Sequence, residues 1–298
     1  MDTISVQTVQ TALEQAGLTS LVPHLDVITR PSIRVHSTPV TSSTSATPSA
    51  VGTPVADTKG QTGASRLGGL PDLPPGVEWP VWQGVPQSFV GQIRLEDVQA
   101  YDTEKALPAR GLLSFFYNAK QDTYGDAPTD TGSWRVFFVE DTANLKPAVA
   151  PANLPTESQF KVSALTFSSQ LTLSPQPQLE VPGLSRTDAD QQKYDPIYAQ
   201  FTNDPNDKSP RDQLLGHPLT LQDDMRLQCE INSRGLTENT DSPELAKRAL
   251  RWHLLFQIDS DDRIGMKWGS AGLIYYWIAR EDLRAHKFDS TWLVLQSD

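Results

Sequence analysis

The segment from Trp252 to Ile278 constrains the fold of this chain more than any other. Its first half places bulky apolar residues at every second position: Trp252, Leu254, Phe256 and Ile258. A period of two is typical of a β-strand with one buried face. The acidic run 259–262 then predicts a turn whose carboxylates stay wet or paired, because isolated buried charges are costly. Residues 273–278 are apolar on both faces, which predicts a second strand at the centre of a sheet.

Helices are predicted on either side of this β-rich region. Ser242 as N-cap, Pro243 at the first helical position and Glu244 in the first turn favour a short helix over about 243–250. Near the N-terminus, apolar residues recur at helical spacing and Gly17 is placed to end the helix. We therefore expect residues 1–36 to form a helix and a short strand that pack on the body.

Residues 37–63 differ in composition from the rest of the chain. They are dominated by Ser, Thr, Pro, Ala and Gly, and such a segment buries too little apolar surface to offset its ordering entropy. A flexible loop is predicted here, with an interaction tether as the alternative. The remaining residues, 64–298, are expected to form one β domain.

Two parts of that domain resemble each other. The segment 89–93 reads FVGQI and the segment 254–258 reads LLFQI, which aligns Gln92 with Gln257. A Gly-x-Pro precedes each copy, at 69–71 and at 216–218. Any two β-hairpins look alike, but these shared details favour a duplication with repeats at about 66–140 and 213–298. The predicted fold class is mainly β (α+β), a roll-like β body built from two similar units that share one core, with an N-terminal helix and a few short helices.

The same motifs also resemble a known family. GGLPDLPPGVEWP, LPARGLLSFFY, LLGHPLTLQ, SPELAKRALRWHLLFQIDSDD and MKWGSAGLIYYWIAREDL, in this order, are similar to the YwqG-like family, a bacterial domain of unknown function. The resemblance implies a mainly β, roll-like fold in a bacterial cytosolic protein. It also implies an immunity or partner-binding role, since such proteins are sometimes encoded near toxin systems. The family supplies no established catalytic residues, and Ser270 stands where many members have an acidic residue.

Charge and cysteine content limit the classes of partner and compartment. The 298 residues carry 25 Lys and Arg against 36 Asp and Glu, a formal charge of −11. This charge repels phosphate backbones and anionic lipid, so neither nucleic acid nor membrane is an expected partner. A basic protein partner is favoured instead, although acidity also serves solubility alone. The single Cys229 excludes an intrachain disulfide, and the chain shows neither a signal peptide nor an apolar span, so we expect a cytoplasmic protein.

Familiar catalytic and metal-binding patterns are missing from the sequence. No phosphate-binding glycine loop, dinucleotide fingerprint or nucleophile elbow occurs, and the five histidines lack metal-ligand spacing. The carboxylates of the run 259–262 lack the glycine and the distal glutamate of a calcium loop. The sequence therefore predicts no catalytic residue, no metal and no cofactor, and whether the protein is an enzyme stays open.

Eight residues are candidates for binding a ligand or partner. They combine amide, carboxylate, aromatic and basic side chains around the two repeats: Arg66, Trp79, Gln92, His217, Gln257, Asp259, Asp261 and Trp268. In one interpretation Gln92 and Gln257 satisfy backbone groups of the Gly-x-Pro loops. In the other they converge on an open cleft between the repeats, beside Trp79 and Trp268.

Three functional hypotheses follow from these observations. The first is a non-catalytic protein-binding module, of immunity or antitoxin type, for a basic partner. The second is a binder of a small polar ligand or peptide, or an uncharacterised enzyme, that uses the cleft between the repeats. The third is a scaffold whose contact is the loop 37–63. The sequence leaves the oligomeric state open.

Overall fold

The computed structural model describes residues 5–40, 61–181, 183–202, 207–236 and 242–297. In these residues the strands are β1 (Thr29–Pro39), β2 (Arg66–Leu67), β3 (Asp72–Leu73), β4 (Val81–Trp82), β5 (Val85–Pro86), β6 (Ser88–Arg94), β7 (Leu112–Tyr117), β8 (Trp134–Val139), β9 (Lys146–Pro147), β10 (Ser163–Leu173), β11 (Gln213–Leu214), β12 (Trp252–Asp259), β13 (Leu273–Ala279) and β14 (Trp292–Gln296). The helices are α1 (Val6–Gln15), α2 (Leu25–Ile28), α3 (Leu95–Val98), α4 (Pro177–Glu180), α5 (Asp188–Thr202), α6 (Arg226–Ser233), α7 (Pro243–Ala249) and α8 (Arg280–Arg284). Short 3₁₀ turns lie at Thr19–His24, Pro128–Asp130, Thr156–Ser158 and Phe288–Ser290.

Ten of the strands form one antiparallel sheet. Their order is β14-β13-β12-β11-β1-β10-β2-β6-β7-β8. The sheet curls until its two outer strands approach each other: the Trp134 indole on β8 donates to the Thr291 carbonyl at 2.8 Å, and the rings of Trp134 and Trp292 lie 4.8 Å apart. The predicted mainly β fold is therefore confirmed.

The sheet contains two matching units of four strands each, together with β1 and β10. We call β2, β6, β7 and β8 the first unit and β11, β12, β13 and β14 the second unit. In the first, Arg66 pairs with Gln92, and in the second Gln213 pairs with Gln257. A β-bulge interrupts β6 between Phe89 and Gly91 and β12 at the corresponding positions. Bulges bend a strand at a defined place, so the shared bulge gives the two units the same curvature.

The two long strands between the units are exchanged. β1 precedes the first unit along the chain, yet it pairs with β11 of the second unit through Ile33 and Leu214. β10 precedes the second unit, yet it pairs with β2 of the first unit through Ser163 and Leu67. β1 and β10 pair with each other along their whole length. Each unit is thus completed by the strand that precedes the other one.

Both units contribute to one hydrophobic core. Phe115 of the first unit contacts Phe256 and Tyr276 of the second, with ring centroids 5.0 and 5.1 Å apart. The expectation that β12 has one wet face is wrong, because Leu255 and Gln257 are fully buried. The backbone at Arg211 and Leu219 covers Gln257, and helix α6 packs against β12 at Trp252.

A separate helical layer covers one end of the β1–β10 pair. Val9 and Leu13 of α1 pack with Tyr194 and Phe201 of α5 in a second apolar cluster. The Ser5 hydroxyl accepts the Thr8 N–H and caps α1, as side-chain oxygens do at helix N-termini. The chain turns away at Gly17, whose positive φ of 72° favours glycine.

The segment expected to be a loop, 37–63, is described only at its ends. β1 continues to Pro39 because its last three residues pair with Ser163–Leu165 of β10. Residues 41–60 lie outside the described residues. In the part of the chain that the structure describes, no helix has the length and apolar content needed to cross a bilayer.

Candidate functional site

Gln92 ties the first Gly-x-Pro loop to the sheet. Its side-chain oxygen accepts the N–H of Asp72, the residue after Pro71, at 3.0 Å, and its amide nitrogen donates to the Ala64 carbonyl at 2.8 Å. Gln92 is fully buried. A buried amide with these partners serves to satisfy backbone groups that would otherwise lose their hydrogen bonds.

Gln257 makes the same two backbone contacts in the second unit. Its oxygen accepts the N–H of Leu219, the residue after Pro218, at 2.8 Å, and its nitrogen donates to the Arg211 carbonyl at 2.6 Å. Gln257 is also fully buried. The backbone contacts of the two glutamines are therefore equivalent, although Gln92 alone also donates to a carboxylate, that of Asp72, at 2.8 Å. Neither glutamine faces an open cleft between the repeats.

Arg66 and His217 belong to these loops as well. The Arg66 guanidinium pairs with the buried Asp72 at 2.9 Å and donates to the Leu70 carbonyl at 3.2 Å. His217 is buried, and its Nε2 donates to the Val27 carbonyl at 3.2 Å. Burial and two neighbouring arginines hold the pKa of His217 well below its usual value, so the ring is neutral. Both side chains act in the structure of the loops.

The two candidate tryptophans share Phe160 as a neighbour but do not line a common cavity. Trp268 is fully buried beside Tyr117 and Phe160. Trp79 is half-buried at the edge of an apolar groove of about 380 Å³ next to Leu70 and Phe160. Asp259 and Asp261 share no cavity with Trp79, Gln92 or Gln257.

Asp259 and Asp261 do meet in a different place, which we call the polar cleft. It is a half-open cavity of about 490 Å³ lined by residues 207–211, which lead into β11, and residues 259–263, which follow β12. Its walls carry four carboxylates, Asp207, Asp259, Asp261 and Asp262, and three basic side chains, Lys208, Arg211 and Arg263. The volume suits a polar side chain or a small ligand.

Ion pairs hold the walls of the polar cleft. Arg211 contacts the Asp259 carboxylate at 2.9 Å, and Arg263 contacts Asp261 at 2.8 Å. Burial would raise the pKa of Asp261, but hydrogen bonds from Arg263 outweigh it and lower that pKa. The carboxylates of this acidic turn were expected to be either solvated or paired. Asp259 and Asp261 are paired, and both are largely buried.

Asp212 lies beneath the polar cleft and is the most unusual acidic group near it. It is 1% exposed, and its Oδ1 accepts the Asp259 N–H at 2.8 Å. Its Oδ2 is buried and has no hydrogen-bond partner among the described residues. Burial, followed by repulsion from Asp259 and Asp261, raises the pKa of Asp212 to about 7 even though the Asp259 N–H and Arg34 oppose the shift.

The first unit shows which kind of side chain is sufficient for folding at the position of Asp212. Ser65 occupies the equivalent place, four residues before its Gly-x-Pro, and its hydroxyl accepts the Arg94 N–H at 2.8 Å. The same hydroxyl donates to Asp97 at 2.7 Å, so it is fully satisfied. A small neutral side chain therefore performs the structural task, and the Asp212 carboxyl is additional. A titratable group perturbed by burial next to a cleft is a candidate for function.

We expect Asp212→Ser to stabilise the protein at neutral and alkaline pH. The folded pKa is raised above the unfolded value near 4, so folding becomes less favourable as pH rises between these two values and levels off above about 7. From about pH 5 to pH 8 the wild-type loss is roughly 2.7 kcal/mol, at about 1.4 kcal/mol for each of two pH units. Urea unfolding across this range should show that loss in the wild type and a flatter profile in the variant. Identical slopes would contradict the assigned state of Asp212.

Metal binding finds no support in the geometry. Across the described ranges, no three His, Cys, Asp or Glu side chains are grouped so that they could hold a metal ion. Cys229 is buried, and burial raises the pKa of its thiol well above the usual value, which makes it a poor nucleophile.

Asp212 and residues 207–211 are not among the binding candidates predicted from the sequence. An alignment of the two Gly-x-Pro segments sets Asp212 opposite Ser65, which is the signal that was available. The burial of Asp212 was not readable, because it depends on β1 crossing to the second unit and placing Arg34 and Val35 over residue 212.

Comparison with known proteins places the chain in a wider group. A family model described as "Domain of unknown function (DUF1963)" matches residues 65–297. The match starts one residue before β2 and includes both units and the polar cleft, but it leaves out β1. No curated protein matches the chain.

Proposed function

Since the chain belongs to the DUF1963 family, a domain of unknown function, we propose its role from the site: a non-catalytic binding module that holds a basic segment of a protein partner in the polar cleft. The observation that carries this proposal is the surplus carboxyl of Asp212 beneath a cavity whose walls already pair their buried carboxylates. A partner's cation is the complement that this arrangement lacks.

The charge distribution supports a basic partner. Asp262 and Asp207 line the polar cleft and are exposed, Asp207 as a partner of Arg34 at 3.5 Å, and the whole chain carries a formal charge of −11. Exposed carboxylates around a cavity attract cations over distances comparable to the Debye length and orient them during encounter. The ion pairs Arg211–Asp259 and Arg263–Asp261, in which the carboxylate is largely buried, fix the walls, so little ordering entropy is lost on binding.

A finer assignment is part of this proposal. The motifs resemble the YwqG-like family, which is consistent with the DUF1963 match. That resemblance supports a bacterial, cytosolic protein with an immunity-type role, in which a stoichiometric basic partner is neutralised by binding. The polar cleft gives such a role a defined contact.

A second candidate is a small polar ligand. The volume of about 490 Å³ lies in the range of small-molecule sites, and this observation favours a free amine or a short peptide over an extended protein surface. A competition experiment separates the two: a free amine that binds as tightly as a basic peptide would favour the small ligand.

We expect a synthetic lysine-rich peptide to bind the full-length protein and a glutamine-substituted peptide of equal length not to bind. The double variant Asp207→Asn/Asp262→Asn should weaken binding about tenfold, because each exposed pair contributes up to about 1 kcal/mol. Isothermal titration calorimetry measures both values. Raising the ionic strength from about 0.05 M to about 0.3 M should lower the affinity, since exposed charges are screened.

A matched control removes two carboxylates elsewhere. Glu157 and Asp289 are exposed and do not line the polar cleft, so Glu157→Gln/Asp289→Asn changes the net charge equally. This control should bind the peptide as the wild type does. Equal weakening in both double variants would reduce the effect to net charge and overturn the cleft as the contact, and a failure of the lysine-rich peptide to bind would reject a basic partner.

A further inference from the structure

We infer that the partner's cationic group, a lysine ammonium or an arginine guanidinium, binds over Asp212, and that the Asp212 carboxyl releases its proton as this group enters the polar cleft. The inference rests on the proposed function and adds an anchor residue and a proton linkage to it. The O–H bond of the carboxyl breaks, the proton passes to the buffer, and no other bond changes.

The geometry supports Asp212 as the anchor. Asp212 does not itself line the polar cleft, but its neighbour Arg211 and its hydrogen-bond partner Asp259 do, so the carboxyl lies close to the cavity. Oδ2 is buried without a partner in the described part of the chain. In the equivalent position of the first unit, the Ser65 hydroxyl has both its hydrogen bonds made. The unsatisfied atom is thus a property of the second unit, where the cleft is.

Charged groups approach Asp212 from every element around it. Arg34 of β1 favours the ionised carboxylate, whereas Asp259 at the end of β12 and Asp261 in the following turn oppose it. Arg263 is also within electrostatic range of Asp212. Asp259 and Asp261 use their own cations, Arg211 and Arg263, in ion pairs. An added cation therefore changes the protonation of the Asp212 carboxyl more than that of the Asp259 and Asp261 carboxylates.

The linkage follows from this balance. In the unbound protein the pKa of Asp212 is about 7, so below that pH the carboxyl is mostly protonated. A cation nearby favours the charged form and lowers the pKa, so binding releases a proton. For a ligand that requires the ionised form, affinity should rise about tenfold from about pH 6 to about pH 8.

The test is calorimetric titration of the full-length protein with the lysine-rich peptide in two buffers of different ionisation enthalpy. At about pH 6 the wild type should release close to one proton per peptide bound, and at about pH 8 about 0.1. Asp212→Ser, which copies Ser65, and the isosteric Asp212→Asn should bind more weakly and release none. Because the two replacements differ in shape, a folding defect in one variant leaves the other as a valid test.

The outcomes separate the inference from the proposed function. Peptide binding with no proton release, or with the same release in Asp212→Ser, would overturn the role of Asp212 and leave the basic partner intact. No peptide binding at all would reject the proposed function itself.

Discussion

Replacing Gly125 by alanine is expected to destabilise the protein by about 4 kcal/mol or more. A Cβ at Gly125 would lie 1.8 Å from the Leu293 carbonyl oxygen, and its φ of 72° already costs an L-residue about 1 to 2 kcal/mol. The backbone would have to move off β14. That movement breaks the bonds that the Gly125 carbonyl accepts from Trp292 and Asn232 and the bond from the Leu295 N–H to the Tyr124 carbonyl, each worth about 1 kcal/mol.

The reason for this sensitivity is the exposed edge of the sheet. β14 is an outer strand, and its free N–H and C=O groups need partners. The loop between β7 and β8 supplies the Tyr124 carbonyl to the Leu295 N–H and the Gly125 carbonyl to the Trp292 indole. Gly84→Ala is the matched control, because Gly84 has a similar φ of 78° and no atom within 4 Å of an added Cβ. Urea unfolding should show a loss of about 1 to 2 kcal/mol for the control, and equal losses in both variants would contradict the contact with β14.

Gln92→Met and Gln257→Met are each expected to cost about 4 kcal/mol. Methionine matches glutamine in size but leaves a backbone N–H and a backbone carbonyl unpaired in the core, and each unpaired group costs about 1 to 3 kcal/mol. Gln92→Met also removes the amide donor from the buried Asp72 carboxylate, so its loss should be the larger of the two. Chemical denaturation measures them.

An exposed glutamine provides the reference for this pair. Gln7 lies on the surface of α1, so Gln7→Met should change the free energy of unfolding by no more than about 0.5 kcal/mol. A large loss at Gln92 with almost none at Gln257, or the reverse, would show that the resemblance of the two units does not extend to their energetics.

Local elements of this fold were readable from the sequence. The predicted helix at 243–250 is α7, Pro243–Ala249, and the predicted strand at 273–278 is β13, Leu273–Ala279. Both rest on short-range rules, namely helix-start residues and apolar periodicity. The glutamines' structural role was also one of the two interpretations of the sequence, because an amide in a buried strand must find backbone partners.

The candidate site was only partly readable. Asp259 and Asp261 do line the polar cleft, but both are largely buried. Asp259 pairs with Arg211 and Asp261 pairs with Arg263. Trp79 lines a different groove, and the buried Trp268 donates its indole N–H to the Asp259 carbonyl at 3.2 Å without lining the polar cleft itself. The sequence placed polar residues near one another along the chain, whereas the cavity depends on the segment before β11 facing the turn after β12, a contact between residues about fifty positions apart.

The sequence by itself determined a mainly β body with two like units, because alternating apolar residues and paired Gly-x-Pro segments act within a few residues of one another. The tertiary structure alone decided that β1 and β10 cross to opposite units, that helix α6 packs against β12, and that the Asp212 carboxyl is buried. The physical reason is that burial and strand pairing depend on which distant segments meet, and a carboxyl's charge state depends on those neighbours.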